Sequence, residues 1–300
     1  MKSLKDKLSG VFAPVVTPFR NDEIFVRALG DNLKKLNKTA LTGYLALGSN
    51  GEFRSLSDRE QIEVLEVFAR EKGNKVVMVG TSCESTIRTI ENTKRVAAMG
   101  FDFASILTPS YFARRMTEDV LTDFFERIAD KSPIPVLLYN APGFAGGVQL
   151  SPKAVSRLAR HRNIVGMKDS SPQGPNRFLA QIDSGVKFYV LAGSADFLYP
   201  ALHLGAVGGI LSLANALPAE CCRLYKLFRA GKYAEACDLH FRLMRLNGAV
   251  SGTYGVAGVK GAMDICGFTG GEPRHPLLPV TAAEKETIRA KILDEGFTVG

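Results

Sequence analysis

Lys168 stands where an uncharged segment of the chain gives way to a polar one. It follows the run 164–167 (Ile-Val-Gly-Met) and precedes the run 169–171 (Asp-Ser-Ser). This pattern is typical of a buried strand that carries an amine to its end, where a polar loop begins. Burial disfavours the ammonium form of an amine, and a neutral amine forms Schiff bases with carbonyl substrates. Taken alone, the segment is better explained by a strand-end lysine whose ammonium group reaches water.

Side chains that could assist such an amine follow other apolar runs. Ser49 and Asn50 lie between two glycines, which predicts either a plain tight turn or a cradle whose N–H groups and hydroxyl bind a carboxylate. Tyr139 ends one apolar run and Tyr111 follows another; each by itself is explained as a core or loop aromatic. Together, an imine-forming lysine, a phenol that moves protons and an anion cradle are what a 2-oxo acid aldolase needs.

Eight strand-length apolar runs alternate with helical patterns up to residue 213. The runs are continuous rather than alternating, which is typical of parallel strands buried on both faces. Eight strands that are each followed by a helix fit an α/β fold, the (β/α)8 or TIM barrel, whose functional residues gather at the carboxyl ends of the strands. The predicted strands are Val11–Val16, Tyr44–Leu47, Val76–Val79, Phe103–Leu107, Pro135–Tyr139, Ile164–Lys168, Phe188–Ala192 and Gly209–Leu213.

The alternative fold is an open doubly wound sheet that binds a dinucleotide. Such a sheet needs a glycine-rich phosphate-binding turn directly after its first strand. This chain has Thr17-Pro18-Phe19 at that point. The barrel is therefore the better prediction.

Helix-start signals stand in front of several of the helical patterns. Ser57 with Glu60 predicts a capping box, and Thr117 predicts an N-cap. Ser151-Pro152 predicts an N-cap that is followed by a proline in the first helical turn. These signals support helices between the predicted strands.

The strand pattern stops after about residue 217. The remainder of the chain has helical patterns only, over 218–229, 233–246 and 256–266 and after Thr281. We therefore expect a catalytic barrel over residues 1–230 and a C-terminal helical region over residues 231–300, which would pack on the barrel and contribute to an oligomer.

Charge and hydropathy argue against two classes of partner. The chain has 300 residues, of which 38 are basic and 30 acidic, for a formal net charge of +8. The basic residues are dispersed and form no run interleaved with aromatics, so we predict no nucleic-acid partner. The apolar runs are shorter than the roughly 18 residues that span a bilayer, and the N-terminus has no apolar signal core. We expect neither a membrane partner nor export.

Cysteine and histidine spacing predicts neither disulfides nor a metal site. The five cysteines are an odd number without a framework spacing, so we expect reduced thiols in a cytoplasmic protein. The four histidines form no HxH or HxxxH pair. We therefore expect no metal ligands in this sequence.

Four motifs in this order resemble those of the dihydrodipicolinate synthase / N-acetylneuraminate lyase superfamily of pyruvate-dependent class I aldolases. They are Pro14–Phe19, Gly48–Glu52, Tyr139–Pro142 and Gly166–Ser170, and the resemblance covers nearly the whole chain. It implies that Lys168 forms a Schiff base with pyruvate and that Tyr139 is the proton shuttle. Tyr111 matches a tyrosine that reaches into a neighbouring subunit's site to complete the proton relay.

The same resemblance implies the remaining site residues and the assembly. Ser49 and Asn50 would hold the pyruvate carboxylate, and Gly193 and Leu211 would line the pyruvate pocket. The implied chemistry requires no metal and no organic cofactor, because the iminium itself is the electron sink. The resembled families usually form tetramers, so we expect a homo-oligomer, either a tetramer or a dimer.

Within this superfamily, the chain is most similar to the 4-hydroxy-2-oxoglutarate aldolase branch. It shares the segments 47–53, 83–86 and 191–195 with that branch, and Ser170 matches a substrate-contacting serine there. Dihydrodipicolinate synthases would carry an arginine at position 144 to clamp a second carboxylate, and Phe144 does not replace a bidentate guanidinium. We therefore expect cleavage of a 4-hydroxy-2-oxo acid to pyruvate and an aldehyde.

Three alternatives stay open at this point. The first is 4-hydroxy-tetrahydrodipicolinate (dihydrodipicolinate) synthase, and the second is an aldolase or dehydratase of 2-keto-3-deoxy sugar acids. The third is a barrel that binds a 2-oxo acid as a sensor without catalysis. A sensor has no need of both Lys168 and Tyr139, and this chain has both.

Overall fold

The structure, a computed structural model, describes residues 3–183 and 185–300. Eight of its strands are parallel and close into a barrel, and two short strands pair as a separate antiparallel hairpin. In chain order the strands are β1 Gly10–Pro14, β2 Phe19–Arg20, β3 Glu23–Ile24, β4 Gly43–Ala46, β5 Val76–Gly80, β6 Phe103–Leu107, β7 Val136–Asn140, β8 Ile164–Asp169, β9 Tyr189–Ala192 and β10 Gly208–Ile210. The order around the barrel is β1, β10, β9, β8, β7, β6, β5, β4. The predicted TIM barrel with a C-terminal helical extension is therefore confirmed.

Helices follow the barrel strands and continue beyond the last of them. In the described part of the chain the α-helices are α1 Leu4–Leu8, α2 Val26–Asn37, α3 Asp58–Glu71, α4 Thr86–Ala98, α5 Glu118–Lys131, α6 Pro152–Leu158, α7 Asn176–Leu179, α8 Leu198–His203, α9 Pro218–Arg229, α10 Tyr233–Asn247, α11 Thr253–Ile265 and α12 Ala282–Asp294. Each of these helices is too short or too polar to traverse a lipid bilayer.

The helix-start signals act as the sequence predicts. The Ser57 hydroxyl accepts a hydrogen bond from the Glu60 amide at 3.3 Å, and the Glu60 carboxylate accepts one from the Ser57 amide at 2.8 Å. Thr117 and Ser151 cap α5 and α6 in the same way, each accepting from an amide three residues ahead. These caps satisfy amide donors that the first helical turn leaves unpaired.

Two local features differ from the sequence prediction. The β2–β3 hairpin turns through Asn21 and Asp22, which both have positive φ angles (50° and 65°), as a type I′ turn requires. Strands of two residues are too short to produce a periodic pattern. The last barrel strand ends at Ile210 rather than Leu213, because the chain turns at Leu211 into the 3-10 helix Ser212–Asn215.

The described residues pack as two compact units. The first unit comprises Val76–Gly193 and Pro200–Gly209 together with the described residues up to Ser9, and the second comprises Gly10–Lys75, Ser194–Tyr199 and Ile210–Gly300. The predicted division of the chain at residue 230 stays a prediction.

The first unit contains the consecutive parallel strands β5 to β9, which pair in register with their neighbours. Its apolar core lies between these strands and the helices that follow them. Fully buried members include Ile106, Phe125, Ile128, Leu138 and Met167. Burial of large apolar side chains like these is the main favourable term in folding.

The second unit contains β1 paired with β4, and most of the remaining helices. In it, α9 packs against α10 and α11 packs against α12. A five-residue π-helical segment, Gly248–Gly252, joins α10 to α11, and Gly255 (φ 56°) interrupts the first turns of α11. A positive φ angle costs glycine little, so the chain can bend at this position. The predicted helix over 256–266 is present as part of α11, which begins at Thr253.

Candidate active site

Lys168 and Tyr139 are brought together by strand register. They are paired residues on the adjacent strands β8 and β7, so their side chains leave the sheet side by side. The Lys168 Nζ atom lies 4.4 Å from the centroid of the Tyr139 ring. Lys168 is 5% exposed and Tyr139 is 4% exposed. The structure therefore holds an amine against a phenol in a nearly closed environment.

A buried carboxylate fixes the strand ends next to this pair. Asp169 accepts hydrogen bonds from the Asn140 side-chain amide at 2.7 Å and from the Ser171 hydroxyl at 2.8 Å. The Asn140 side-chain oxygen in turn accepts from the Leu150 amide at 2.9 Å. Burial raises the pKa of Asp169, against the hydrogen bonds from Asn140 and Ser171, which act to lower it. The network ties the end of β7 to the end of β8.

Ser170 and Gly193 are also brought together in the first unit. The Ser170 hydroxyl donates to the Gly193 carbonyl oxygen at 3.4 Å, and the Gly193 amide donates to the Asp169 carbonyl oxygen at 2.7 Å. A Cβ atom at Gly193 would overlap the Ser170 hydroxyl and the Asp169 carbonyl oxygen. Glycine is required here because the two strand ends approach so closely.

Ser49 and Asn50 form a single 3-10 turn, Ser49–Gly51, directly beyond β4 in the second unit. Leu47 and Glu52 flank the turn, and both have left-handed backbone conformations with φ angles of 52°. Non-glycine residues adopt this conformation at a cost of about 1–3 kcal/mol each, so it is found where surrounding contacts enforce it, often at functional sites. The predicted tight turn is present. The left-handed residues on either side of it indicate that contacts elsewhere in the fold hold its conformation.

Asn50 is connected to the segment that carries Leu211. The Asn50 side-chain amide donates to the Ser212 hydroxyl at 2.9 Å. Leu211 is completely buried, and its amide donates to the Phe12 carbonyl oxygen at 3.0 Å. In the second unit, Asn50 of the Ser49–Gly51 turn is thus in contact with Ser212, which directly follows Leu211.

Tyr111 and Phe144 lie on the surface of the first unit, in contrast to the buried Lys168 and Tyr139. Tyr111 is 79% exposed and Phe144 is 59% exposed. The Tyr111 ring packs edge-on against Phe112, with 4.9 Å between the ring centroids. The Glu84 carboxylate accepts from the amides of Tyr111 at 2.9 Å and of its preceding residue at 2.8 Å.

Several of these contacts were not predicted from the sequence. Asn140 directly follows Tyr139, and Asp169 directly follows Lys168. Because Tyr139 and Lys168 are paired across the two strands, Asn140 and Asp169 are paired as well. Ser212 adjoins Leu211, but no local sequence pattern indicates its contact with the turn after β4.

Within the described ranges, no group of three or more His, Cys, Asp or Glu side chains is arranged to hold a metal ion.

Nearly the whole chain matches known proteins. Residues 7–295 match the sequence model of the dihydrodipicolinate synthetase family. The chain belongs to this family. Its members are pyruvate-dependent class I aldolases and lyases, so the chain is an enzyme of that class.

Two curated members of the family illustrate how it divides. A protein of Emericella nidulans named probable 4-hydroxy-2-oxoglutarate aldolase, mitochondrial, is 33% identical over 288 residues, covering 93% of this chain and 92% of that protein. A 4-hydroxy-tetrahydrodipicolinate synthase of Methanothrix thermoacetophila is 33% identical over 282 residues, covering 93% and 94%. Sequence identity alone therefore does not separate the two activities.

Solved structures of the family share the fold of this chain. YagE, a prophage protein of the dihydrodipicolinic acid synthase family from E. coli K12, was solved in complex with pyruvate. It superposes with a TM-score of 0.89 at 27% identity, covering 97% of this chain and 99% of that chain. A dihydrodipicolinate synthase superposes with a TM-score of 0.86 at 28% identity, covering 96% and 99%.

Proposed function

We propose that this family member is a Schiff-base-forming carbon–carbon lyase that cleaves a 4-hydroxy-2-oxo acid to pyruvate and an aldehyde, in the manner of 4-hydroxy-2-oxoglutarate aldolase. The observation that carries the proposal is the buried pair at the ends of β8 and β7. The Lys168 amine lies 4.4 Å from the centre of the Tyr139 ring. An amine beside a phenol supplies both a nucleophile for a carbonyl and a group that moves protons.

In the proposed first step, the Lys168 amine attacks C2 of the 2-oxo acid. The carbonyl oxygen leaves as water, and an iminium bond joins the lysine nitrogen to C2. The positive iminium nitrogen then draws electrons from the adjoining carbons. This step uses the lone pair of the amine as the nucleophile.

Bond cleavage proceeds from the iminium. The electron pair of the C3–C4 bond moves to form an enamine, while Tyr139 accepts the proton of the C4 hydroxyl, directly or through water, and an aldehyde forms at C4. Protonation of the enamine at C3 and addition of water then release pyruvate and restore the amine. Because the amine, the phenol and the substrate are held in a fixed arrangement, less entropy is lost on reaching the transition state, and the activation free energy is lower.

The remaining site residues are proposed to bind the substrate. Ser49 and Asn50 would hold its C1 carboxylate, since the constrained turn offers hydrogen-bond donors after β4. Ser170, whose hydroxyl is half-buried beside Gly193, would contact the substrate. Gly193 and Leu211 would line the pocket around the pyruvate half. Pyruvate as this half is supported by the pyruvate complex of the related YagE.

Phe144 is the residue that favours the aldolase over the synthase. It belongs to the short 3-10 helix Pro142–Phe144 that follows β7 and the Tyr139 end of the strand. A phenyl ring there offers no donors to a second carboxylate, whereas a synthase would use a guanidinium. The synthase stays the second candidate because a relative with that name is 33% identical over nearly the whole chain.

The substrate class can be tested by direct assay. We expect pyruvate to be released from 4-hydroxy-2-oxoglutarate and from other 4-hydroxy-2-oxo acids, with slow condensation of pyruvate and aspartate semialdehyde. Restoring the clamp in the variant Phe144→Arg should raise the condensation rate relative to the cleavage rate. Faster condensation than cleavage by the unaltered enzyme would contradict the aldolase assignment. Cleavage or dehydration only of longer 2-keto-3-deoxy acids would assign it to the sugar-acid enzymes.

We also propose that the enzyme acts as a homo-oligomer, a tetramer or a dimer, in which Tyr111 completes the proton relay in a neighbouring subunit. The exposure of Tyr111 and of the adjacent Phe112 supports this role, and so does the Glu84 carboxylate that fixes the backbone of Tyr111. We further propose a reducing compartment such as the cytoplasm, because the five cysteines are an odd number without a framework spacing.

A further inference from the structure

Glu52 follows the Ser49–Gly51 turn and is unusual in two respects. Its backbone is left-handed, with φ 52° and ψ 36°, although glutamate has no intrinsic preference for that conformation. Its side chain is buried, although glutamate is almost never buried unless it is paired. Something in the fold must hold both the backbone and the carboxylate.

The partner of Glu52 is a lysine from the C-terminal helical extension. Lys260 on α11 is 1% exposed, and its Nζ atom lies 2.5 Å from Oε1 of Glu52. The same ammonium group donates to the carbonyl oxygens of Thr17 at 2.8 Å and of Glu272 at 2.7 Å. Two of the three ammonium donors thus bind backbone carbonyl oxygens, and the Glu52 carboxylate forms an ion pair with the same group.

Further contacts connect the same residues to the end of the Ser49–Gly51 turn. The Thr17 hydroxyl donates to the Gly51 carbonyl oxygen at 2.8 Å, so the residue bound by Lys260 itself binds the turn. The other carboxylate oxygen of Glu52 accepts from the Arg274 amide at 2.9 Å. The turn is therefore tied to the segment after β1 and to α11 by buried polar contacts.

We propose that Glu52 and Lys260 are positioning residues that keep the Ser49–Asn50 turn in the conformation that binds the substrate carboxylate. The proposal rests on the proposed function, because it takes the turn to be the carboxylate site. It also gives α11 a part in substrate binding that is separate from any role in assembly.

General electrostatics support a positioning role over a purely stabilising one. A buried ion pair adds little to stability compared with apolar side chains of the same size, because both charges must be desolvated. Burial lowers the pKa of Lys260 to about 8, against the attraction of Glu52, which acts to raise it. What the pair supplies is a fixed geometry in a segment whose backbone would otherwise leave the left-handed region.

The test uses pyruvate and its uncharged analogue methyl pyruvate as probes of Lys168. Adduct formation is measured by borohydride reduction over a range of probe concentrations, and the half-saturating concentration is compared between variants. For Glu52→Gln and Lys260→Met, we expect the value for pyruvate to rise about tenfold, with the maximal extent of trapping retained. The value for methyl pyruvate should change much less, because it has no carboxylate for the turn to bind.

Two further variants make the test specific. Glu295→Gln removes another buried, ion-paired glutamate of the second unit, which pairs with Arg245, and it should leave both half-saturating concentrations unchanged. Thr17→Val removes only the hydroxyl that binds the turn, and we expect the pyruvate value to rise about threefold. This milder change keeps the proposal testable where Glu52→Gln or Lys260→Met does not fold.

The outcomes separate the two proposals. If the unaltered enzyme forms no adduct with pyruvate, the proposed function fails and the positioning role with it. If it forms the adduct, while folded variants at Glu52, Lys260 or Thr17 keep the pyruvate value of the unaltered enzyme, the positioning role alone is overturned. An equal rise for pyruvate and methyl pyruvate would also overturn it, because the lost contact would then not involve the carboxylate.

Discussion

Strand pairing, rather than a loop, sets the distance between the two central side chains. Tyr139 and Lys168 are register partners on β7 and β8, and Asn140 and Asp169 are partners one position later. The Asn140 side-chain amide donates to the Asp169 carboxylate at 2.7 Å, which links the ends of the two strands. A rigid pair of strands holds catalytic groups more accurately than mobile loops do, so little reorganisation is needed when substrate arrives.

Replacing the central phenol should separate imine formation from cleavage. In Tyr139→Phe we expect borohydride trapping of pyruvate to persist, because the amine is unchanged. The cleavage rate should fall about 100-fold or more, because general acid–base groups contribute on that order. The measurement is kcat with a 4-hydroxy-2-oxo acid beside the yield of trapped adduct.

Tyr44→Phe is the matched control for that experiment. Tyr44 is also a buried tyrosine, and its hydroxyl donates to the Asn37 side-chain oxygen at 2.7 Å. Its loss should lower stability by about 1 kcal/mol and leave kcat unchanged. Equal losses of kcat in Tyr139→Phe and Tyr44→Phe would argue against a proton-transfer role for Tyr139.

Among the helices of the C-terminal extension, a charged contact joins α10 to the end of α12. Arg245 on α10 donates to both carboxylate oxygens of Glu295, at 2.7 Å and 2.9 Å for the shortest contacts. The Lys291 ammonium lies 2.9 Å from the same carboxylate. The hydrogen bonds from Arg245 lower the pKa of Glu295 to about 2.

This contact predicts a specific loss of stability in acid. Because the pKa of Glu295 is lower in the folded chain, its contribution is fully present above about pH 4.5 and is lost as the pH falls towards 2. Glu295→Gln should therefore lower the free energy of unfolding by about 1–2 kcal/mol at neutral pH, with a smaller difference at pH 2–3. Urea unfolding at several pH values measures this.

An exposed glutamate of the same helix provides the comparison. Glu286 pairs with Arg289, and its side chain is largely exposed. Exposed pairs contribute about 0–1 kcal/mol, so Glu286→Gln should change the free energy of unfolding little at any pH. A loss equal to that of Glu295→Gln would show that burial of the contact has no effect.

Most of the barrel could be predicted because its strands are buried on both faces and give continuous apolar runs. Helix caps such as Ser57 could be predicted because their signals lie within four residues of sequence. The β2–β3 hairpin and the π-helical segment 248–252 could not, since neither has a periodic pattern. The placement of Lys168 and Tyr139 near the ends of neighbouring strands could be predicted because each closes an apolar run.

The contact between Glu52 and Lys260 shows where sequence reasoning stops. One residue follows β4 and the other lies on α11, so the two meet only once the chain has folded. In sequence, Lys260 is a single cation in a mostly apolar helix, a pattern that gives no indication of its partner. Tertiary structure was needed to connect it with the Ser49–Gly51 turn.

For the molecule as a whole, the family match identifies the fold and the class of reaction, but it does not identify the aldehyde with which pyruvate is joined in the substrate. The family match over residues 7–295 covers the barrel and most of the helical extension. Relatives with the aldolase name and the synthase name are each 33% identical to this chain. In the proposed function, a few side chains after β7 select the aldehyde half, and Phe144 is the clearest of them.

The measurement that tests the central claim most directly is identification of the lysine that binds pyruvate. The unaltered enzyme is incubated with pyruvate, reduced with borohydride, digested and analysed by mass spectrometry, with Lys168→Arg as the control. We predict one reduced pyruvyl group on the peptide that contains Lys168, and none in the control. Absence of the adduct from the unaltered enzyme, or its appearance on a different lysine, would contradict this account.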